Sequence, residues 1–190
     1  MTNKSPLKSA KRIVLKIGSS LLVDETTGRI KSTWLNALAD DILAARKQGR
    51  EVVVVTSGAG AVGRKVLGLP SGKLPLPQKQ AAAAVGQIRL ARAYQTILAE
   101  RGLDVAQVLL TLDDSESRTR YLNAGNTLNT LLEIGVVPVI NENDTVATTE
   151  IKVGDNDRLA ARVAQMISAA TLIIFSDING LSPANPRKDP

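Results

Sequence analysis

Five short, nearly unbroken apolar runs recur along this chain, and they constrain its fold more than any other feature. They are Ile13, Val14, Leu15 and Ile17, then EVVVVTS from Glu51, VAQVLL from Val105, VVPVI from Val136 and TLIIFS from Thr171. A strand with one wet face alternates apolar and polar residues, so runs like these belong to strands covered on both faces. Helical spacing fills the gaps. Leu35, Leu38, Ala39, Ile42 and Leu43 recur at that spacing, with Ser32 placed to cap the helix and Gly49 to end it. Gly58 to Leu67 reads as a glycine-started helix, followed by a loop holding Pro70, Pro75 and Pro77. Gln78–Arg101 is alanine-rich and helical, as are 118–134 and 155–169. Strand–helix–strand spacing of this kind builds βαβ units, so the sequence predicts an α/β fold. That fold is a three-layer αβα sandwich around a mostly parallel sheet. Two details stand apart. Pro138 falls inside an expected strand although proline donates no ladder hydrogen bond, and VATTEIKV at 146–153 suggests a β-hairpin arm.

The residues that are missing narrow the chemistry. The chain has no cysteine and no histidine, which removes disulfides, thiolate nucleophiles and the commonest general base and metal ligand. Any metal held here would take oxygen ligands, as Mg²⁺ does, and no side chain is assigned to one. The basic start, MTNKSPLKSAKR, is expected to be a polar tail over 1–11 with a domain over 12–190, and no apolar stretch reads as a signal or a membrane span. The expected setting is cytoplasmic. A net charge of +6 suits attraction of anionic ligands and equally suits ordinary basic surface. Aromatic residues make up only 2%, which disfavours nucleic acid as a partner.

In parallel α/β sheets ligands gather beyond the carboxyl ends of strands, and four segments fall there. Lys16-Ile17-Gly18-Ser19-Ser20 ends the first strand; a lysine beside a glycine can set an ammonium against phosphate oxygens, or can be a plain strand end with a turn glycine. Thr56-Ser57-Gly58-Ala59-Gly60 can offer helix N-terminal N–H groups to an anion, or simply turn the chain. Asn141-Glu142-Asn143-Asp144 and Gly154-Asp155-Asn156-Asp157 are two amide-and-carboxylate clusters joined by the expected hairpin, and Asp155 alone suits a helix cap. Lysine, amide, hydroxyl and carboxylate groups without an activated nucleophile suit phosphoryl transfer, which needs positioning and charge neutralisation above all.

Taken in order, VLKIGSSLL, VVVVTSGAGAVGR, KQAAAAVGQIRL, VPVINENDTVATTEIKVGDND and SDINGL resemble successive motifs of the glutamate 5-kinase group of the amino-acid kinase family. The resemblance runs from Arg12 to Pro190. It implies ATP- and Mg²⁺-dependent phosphorylation of the γ-carboxylate of L-glutamate, the first step toward proline. By that resemblance Lys16 binds the transferring phosphate, Gly18 belongs with it to the nucleotide site, and Asp157 organises the surrounding lysines. Ser57, Asp144, Asn156 and Asn141 hold glutamate, while Ser176 and Asp177 touch the nucleotide. It further implies a homo-oligomer and feedback inhibition by proline, and leaves as alternatives a different acceptor or a non-catalytic glutamate or proline sensor. Two departures qualify it. Leu181-Ser182-Pro183-Ala184-Asn185-Pro186 stands where the group has a tyrosine and an aspartate. The group also continues to a glycine-rich segment with a second phosphate-binding lysine, and often to a PUA domain; neither lies in these 190 residues. The fold is therefore expected to be incomplete at its carboxyl end and the isolated chain weak as a catalyst.

Overall fold

The computed structural model describes residues 9–146 and 155–177, without the side chain of Asp155. The elements follow in the order β1 (Arg12–Ile17), α1 (Ser19–Leu22), α2 (Ser32–Lys47), β2 (Glu51–Val55), α3 (Ala59–Val66) and α4 (Leu76–Ala99). Then come β3 (Val105–Leu110), α5 (Leu112–Glu116), α6 (Arg118–Glu133), β4 (Val137–Glu142), α7 (Asp155–Met166) and β5 (Thr171–Phe175). The sheet has five strands in the order β3-β4-β2-β1-β5, and every pairing is parallel.

Alternate residues of β1, β2 and β4 feed separate cores, which explains their unbroken apolar runs, whereas the edge strands β3 and β5 are covered less completely and leave Leu109 and Ile174 exposed. Ile13, Leu15, Ile17, Val52, Val54, Val137 and Val139 pack with Leu35, Leu38 and Ile42 of α2 and Leu90, Tyr94 and Leu98 of α4. Val14, Val53, Val55 and Ile140 face the other way, onto Leu128 and Leu132 of α6 and Leu159, Val163 and Ile167 of α7. The three layers are thus two helical faces on one sheet, as expected. Ala10 is buried with the first of these cores and the Lys11 carbonyl accepts from Glu51 N–H, so packing starts before Arg12. At the amino edge of the sheet Arg12 binds Glu51 at 2.6 Å and Asn129 at 2.8 Å, and donates to the Ile167 carbonyl. That network ties β1 to β2, α6 and the end of α7, on the edge opposite the strand ends that carry function.

Pro138 sits in β4 because of where its missing donor would point. Val137 and Asn143 donate to Asp104 and Leu110 on the β3 side, so by two-residue alternation the Pro138 nitrogen faces β2. Pairing with β2 begins only at Val139, and no ladder bond is lost. Three local expectations need correction. Ser32 is the first helical residue of α2 and not its cap; Lys31 holds that position, its carbonyl accepts from Leu35 N–H, and no side chain caps the helix. Pro77 lies inside the first turn of α4, which therefore starts two residues before Gln78. First-turn N–H groups have no intrahelical partner, so a proline there costs nothing. The short helix α5 was not anticipated; Thr111 and Asp114 build its capping box. The expected arm at 146–153 lies, after Val146, outside the described residues, as does the loop at 181–186.

Candidate active site

The site lies where β4, β2, β1 and β5 stop side by side. Their carboxyl ends deliver Asn141, Ser57, Lys16 with Gly18, and Ser176 with Asp177 to one edge. Helix α7 starts there and adds Asn156 and Asp157, and the turn after β4 adds Asp144. All of these line a single cavity of about 740 Å³. Every residue expected from the sequence is thus brought to one place.

Lys16 is the central cation. Its side chain is only 11% exposed, yet its ammonium lies 2.7 Å from Asp157 Oδ1. Burial of the stem between strands holds the charge at the cavity wall, and the carboxylate opposite it offsets the cost of removing it from water. Gly18 has φ −71° and ψ 150°, a conformation open to any residue. A Cβ there would stand 3.5 Å from the Phe175 carbonyl oxygen and 3.8 Å from Lys16 Nζ, ordinary contact distances, so neither backbone nor packing by itself requires glycine.

Gly58 is a different case. Its φ is +106° and an added Cβ would meet Val23 Cγ2 at 2.8 Å, so glycine is required to turn β2 into α3. Helical bonding in α3 begins with Val62 N–H to the Gly58 carbonyl, which leaves the N–H groups of Ala59, Gly60 and Ala61 at the cavity free of intrahelical acceptors. Helix α3 is set against α4 by two glycines in close contact. A Cβ on Gly63 would fall 1.7 Å from the Ala82 carbonyl oxygen, and one on Gly86 would fall 1.8 Å from that of Ala59. Of the alanine run in α4, Ala82 and Ala83 are buried, while Ala81 and Ala84 stay exposed.

The amides form a connected set. Asn156 Nδ2 donates to the Thr56 carbonyl at 3.1 Å, to Ser57 Oγ at 2.8 Å and to Asn141 Oδ1 at 3.2 Å. Asn141, 2% exposed, accepts also from Glu142 N–H at 2.9 Å and donates from Nδ2 to Gln87 Oε1 at 2.7 Å. Beneath them the Thr56 hydroxyl meets the Tyr94 hydroxyl at 3.0 Å, and burial pushes the Tyr94 phenol well above its ordinary value, so it stays neutral.

Sequence reasoning passed over Arg64, Lys65 and Lys79, which also line the cavity. Arg64 stands four residues after Gly60 on α3, the same helical face, and this spacing was a usable signal. Its guanidinium binds the carbonyls of Pro70 and Gly72 and so holds the loop between α3 and α4 against the site. Four cations (Lys16, Arg64, Lys65, Lys79) and five carboxylates (Glu25, Glu142, Asp144, Asp157, Asp177) surround the cavity. Such a mixed wall suits a ligand carrying both signs of charge beside a phosphate. Among the described residues no group of three or more carboxylates is gathered as a metal site. A Mg²⁺ arriving with a nucleotide would be held largely by phosphate oxygens and water, which the cavity accommodates.

Fold and site together define an α/β domain of the class that collects its ligands at the carboxyl edge of a parallel sheet. The amino acid kinase family matches residues 11–190, and the chain belongs to that family. A glutamate 5-kinase of Paramagnetospirillum magneticum is 67% identical over 186 residues, covering 98% of this chain and 50% of that protein. One from Rhodospirillum rubrum is 62% identical over 177 residues, covering 93% of this chain and 47% of its own. The chain spans about half the length of the curated relatives it matches. Among solved structures, a UMP kinase from Bacillus anthracis has a TM-score of 0.61 at 15% identity, over 95% of this chain and 70% of that one. An isopentenyl phosphate kinase of T. acidophilum also scores 0.61, at 16% identity over 94% and 75%. At such identity these two speak for the fold alone.

Proposed function

We infer that this chain carries the acceptor- and phosphate-binding part of a glutamate 5-kinase, which moves the terminal phosphoryl group of ATP to the γ-carboxylate of L-glutamate. The single observation that carries the reading is the placement of the Lys16–Asp157 pair beside the Asn156–Ser57–Asn141 cluster in one cavity. Relatives bearing that name at 62–67% identity support it. In the reaction a γ-carboxylate oxygen attacks phosphorus, the bond to the departing diphosphate oxygen breaks, and γ-glutamyl phosphate and ADP result. No protein nucleophile or proton acceptor is needed, which agrees with a cavity free of cysteine and histidine.

The residues divide the work. Lys16 neutralises the phosphoryl oxygens as charge develops, with Asp157 holding its ammonium in place. Gly18 lets a phosphate of the nucleotide approach the bare backbone. The N–H groups at the start of α3 and the Ser57 hydroxyl donate to a carboxylate end of the substrate. Asp144 pairs with the substrate ammonium, and Asn156 and Asn141 complete that pocket. Ser176 and Asp177 border the nucleotide. Mg²⁺ would supply further charge neutralisation on the phosphates. Proline, smaller and also zwitterionic, is expected to compete for the glutamate pocket, and the working protein is expected to be a homo-oligomer in the cytoplasm.

Isothermal titration of the protein with L-glutamate, with and without Mg·ATP, tests this beside Lys16→Ala. Glutamate binding in both proteins, with nucleotide binding lost in Lys16→Ala, is the expected outcome. Glutamate binding with no nucleotide binding in the wild type would instead favour a sensor, and binding of neither would sink the assignment.

A further inference from the structure

The hydrogen bonds around Asn156 form a directed chain that starts outside the cavity, at Gln87 on α4. Gln87 Oε1 accepts from Asn141 Nδ2 at 2.7 Å; Asn141 Oδ1 then accepts from Glu142 N–H and from Asn156 Nδ2. Asn156 Nδ2 is in turn directed to the Thr56 carbonyl and Ser57 Oγ. The amide is planar, so Oδ1 lies on the side away from these contacts. It is buried and has no hydrogen-bond partner among the described residues. A buried acceptor without a partner costs free energy comparable to a lost hydrogen bond, and in a cavity wall it waits for a donor. Each member constrains the next. Turning Asn141 over would set its NH₂ against Glu142 N–H and Asn156 NH₂, and its oxygen against Gln87 Oε1.

We propose that Gln87 is a positioning residue: by accepting from Asn141 it holds Asn156 with Oδ1 left to the cavity as an acceptor for the substrate's ammonium group. Resting on the glutamate assignment, this adds to it a polarity. L-Glutamate has one donor group, its ammonium, and the site must present acceptors to it. Gln87 touches no ligand in this scheme. It lies on the far side of Asn141, lining a second groove of about 470 Å³ between α4 and the β3–β4 strands. Nothing in the chemistry of the cavity would have singled it out.

The polarity gives a graded test with three variants. Gln87→Glu keeps an acceptor toward Asn141, Gln87→Met removes it, and Gln87→Lys places a donor against a donor. For each, the dissociation constants of L-glutamate and Mg·ATP are measured, together with the side-chain NH₂ resonances of Asn141 and Asn156 without ligand and the thermal midpoint. The Met variant is expected to bind glutamate about tenfold more weakly, and Lys more weakly still, from the loss of one buried hydrogen bond. Glu is expected to stay within about threefold, and nucleotide affinity within about twofold in all three, since the chain does not reach Lys16. The Asn156 NH₂ pair should move in Met and Lys and keep its place in Glu.

Equal glutamate affinity in Glu and Lys would overturn the proposal, and so would parallel losses of glutamate and nucleotide affinity. If the wild type fails to bind glutamate while the Asn156 resonances still follow residue 87, the relay stands and the glutamate assignment falls. One measurement needs no variant: in the wild type, through-space contacts must join the Asn156 NH₂ protons to the Ser57 side chain. Their absence would overturn the proposal by itself.

Discussion

At the scale of single residues, Lys16 and Asp157 illustrate how a charge is kept ready. Lys16 is largely buried and Asp157 is 43% exposed, so the pair is partly screened and contributes about 1 kcal/mol or less to stability. Its value is geometric. Asp157→Asn should leave the thermal midpoint within a few degrees while lowering turnover about a hundredfold through a misplaced ammonium, read as a fall in kcat larger than any rise in KM for ATP. Lys16→Ala should cost at least about 10²–10³ in kcat/KM for ATP, the usual loss for one preorganised charge-stabilising group, to which the loss of nucleotide binding adds. Both residues were legible in the sequence, because a lysine and a carboxylate at strand and helix ends are conspicuous types. Gln87 was not, since a glutamine within an alanine-rich helix announces nothing until Asn141 is found against it.

At the scale of elements, the α5 cap carries a pH dependence. Burial alone pushes the Asp114 carboxyl up, but bonds from Thr111 N–H at 2.7 Å and Thr111 Oγ1 at 2.8 Å, with Arg120 at 3.2 Å, outweigh it and hold the group below 3.8. The unfolded chain therefore takes up the proton first as pH falls. The stabilisation is complete above the ordinary carboxylate value and disappears as pH drops through the folded one. Asp114→Asn should cost about 1 kcal/mol at pH 7, with the gap to the wild type closing below about pH 4 in denaturant titrations. The α3–α4 pair is more demanding. Gly86→Ala would drive a methyl into the Ala59 carbonyl, and overpacking of that kind costs about 1–3 kcal/mol or more. Because Ala59 opens α3 at the cavity, the same change should weaken ligand binding, so a lowered melting midpoint and a raised glutamate dissociation constant are expected together. The glycines were visible in the sequence, but which helices they joined was not. Alanines and glycines at helical spacing suit a contact within one chain or between two, and the packing of α4 on α3 shows that Gly63 and Gly86 serve the first.

At the scale of the whole molecule, ligand and fold are linked because the cavity draws on four strand ends and two helix starts. A ligand that binds only the folded state stabilises it by about 2.7 kcal/mol at a hundred times its dissociation constant. For a chain of this size that is a rise of about 5–11 °C in thermal midpoint, which L-glutamate should produce in the wild type and to a smaller degree in Gln87→Met. An unchanged midpoint at saturating glutamate would count against the assigned pocket.

The sequence by itself determined the layer structure and the chemistry. Apolar runs on consecutive residues mark the strands, of which the central β1, β2 and β4 are buried on both faces, and a chain without histidine or cysteine is left with charge, amide and hydroxyl groups to work through. It also located the cavity to within a few residues, because strand ends in a parallel sheet share one edge. Tertiary structure decided what depends on adjacency between distant segments. The order β3-β4-β2-β1-β5 sets Lys16 beside Ile174 and Val55. That order also explains how β4 tolerates Pro138, whose nitrogen faces the stretch where β2 is not yet paired. The same adjacency sets Gln87 against Asn141, from a helix whose own sequence speaks only of packing. Local patterns report how a residue meets its near neighbours along the chain, whereas hydrogen bonds such as that between Gln87 and Asn141 join positions 54 apart and exist only once the sheet and its helices have closed around them.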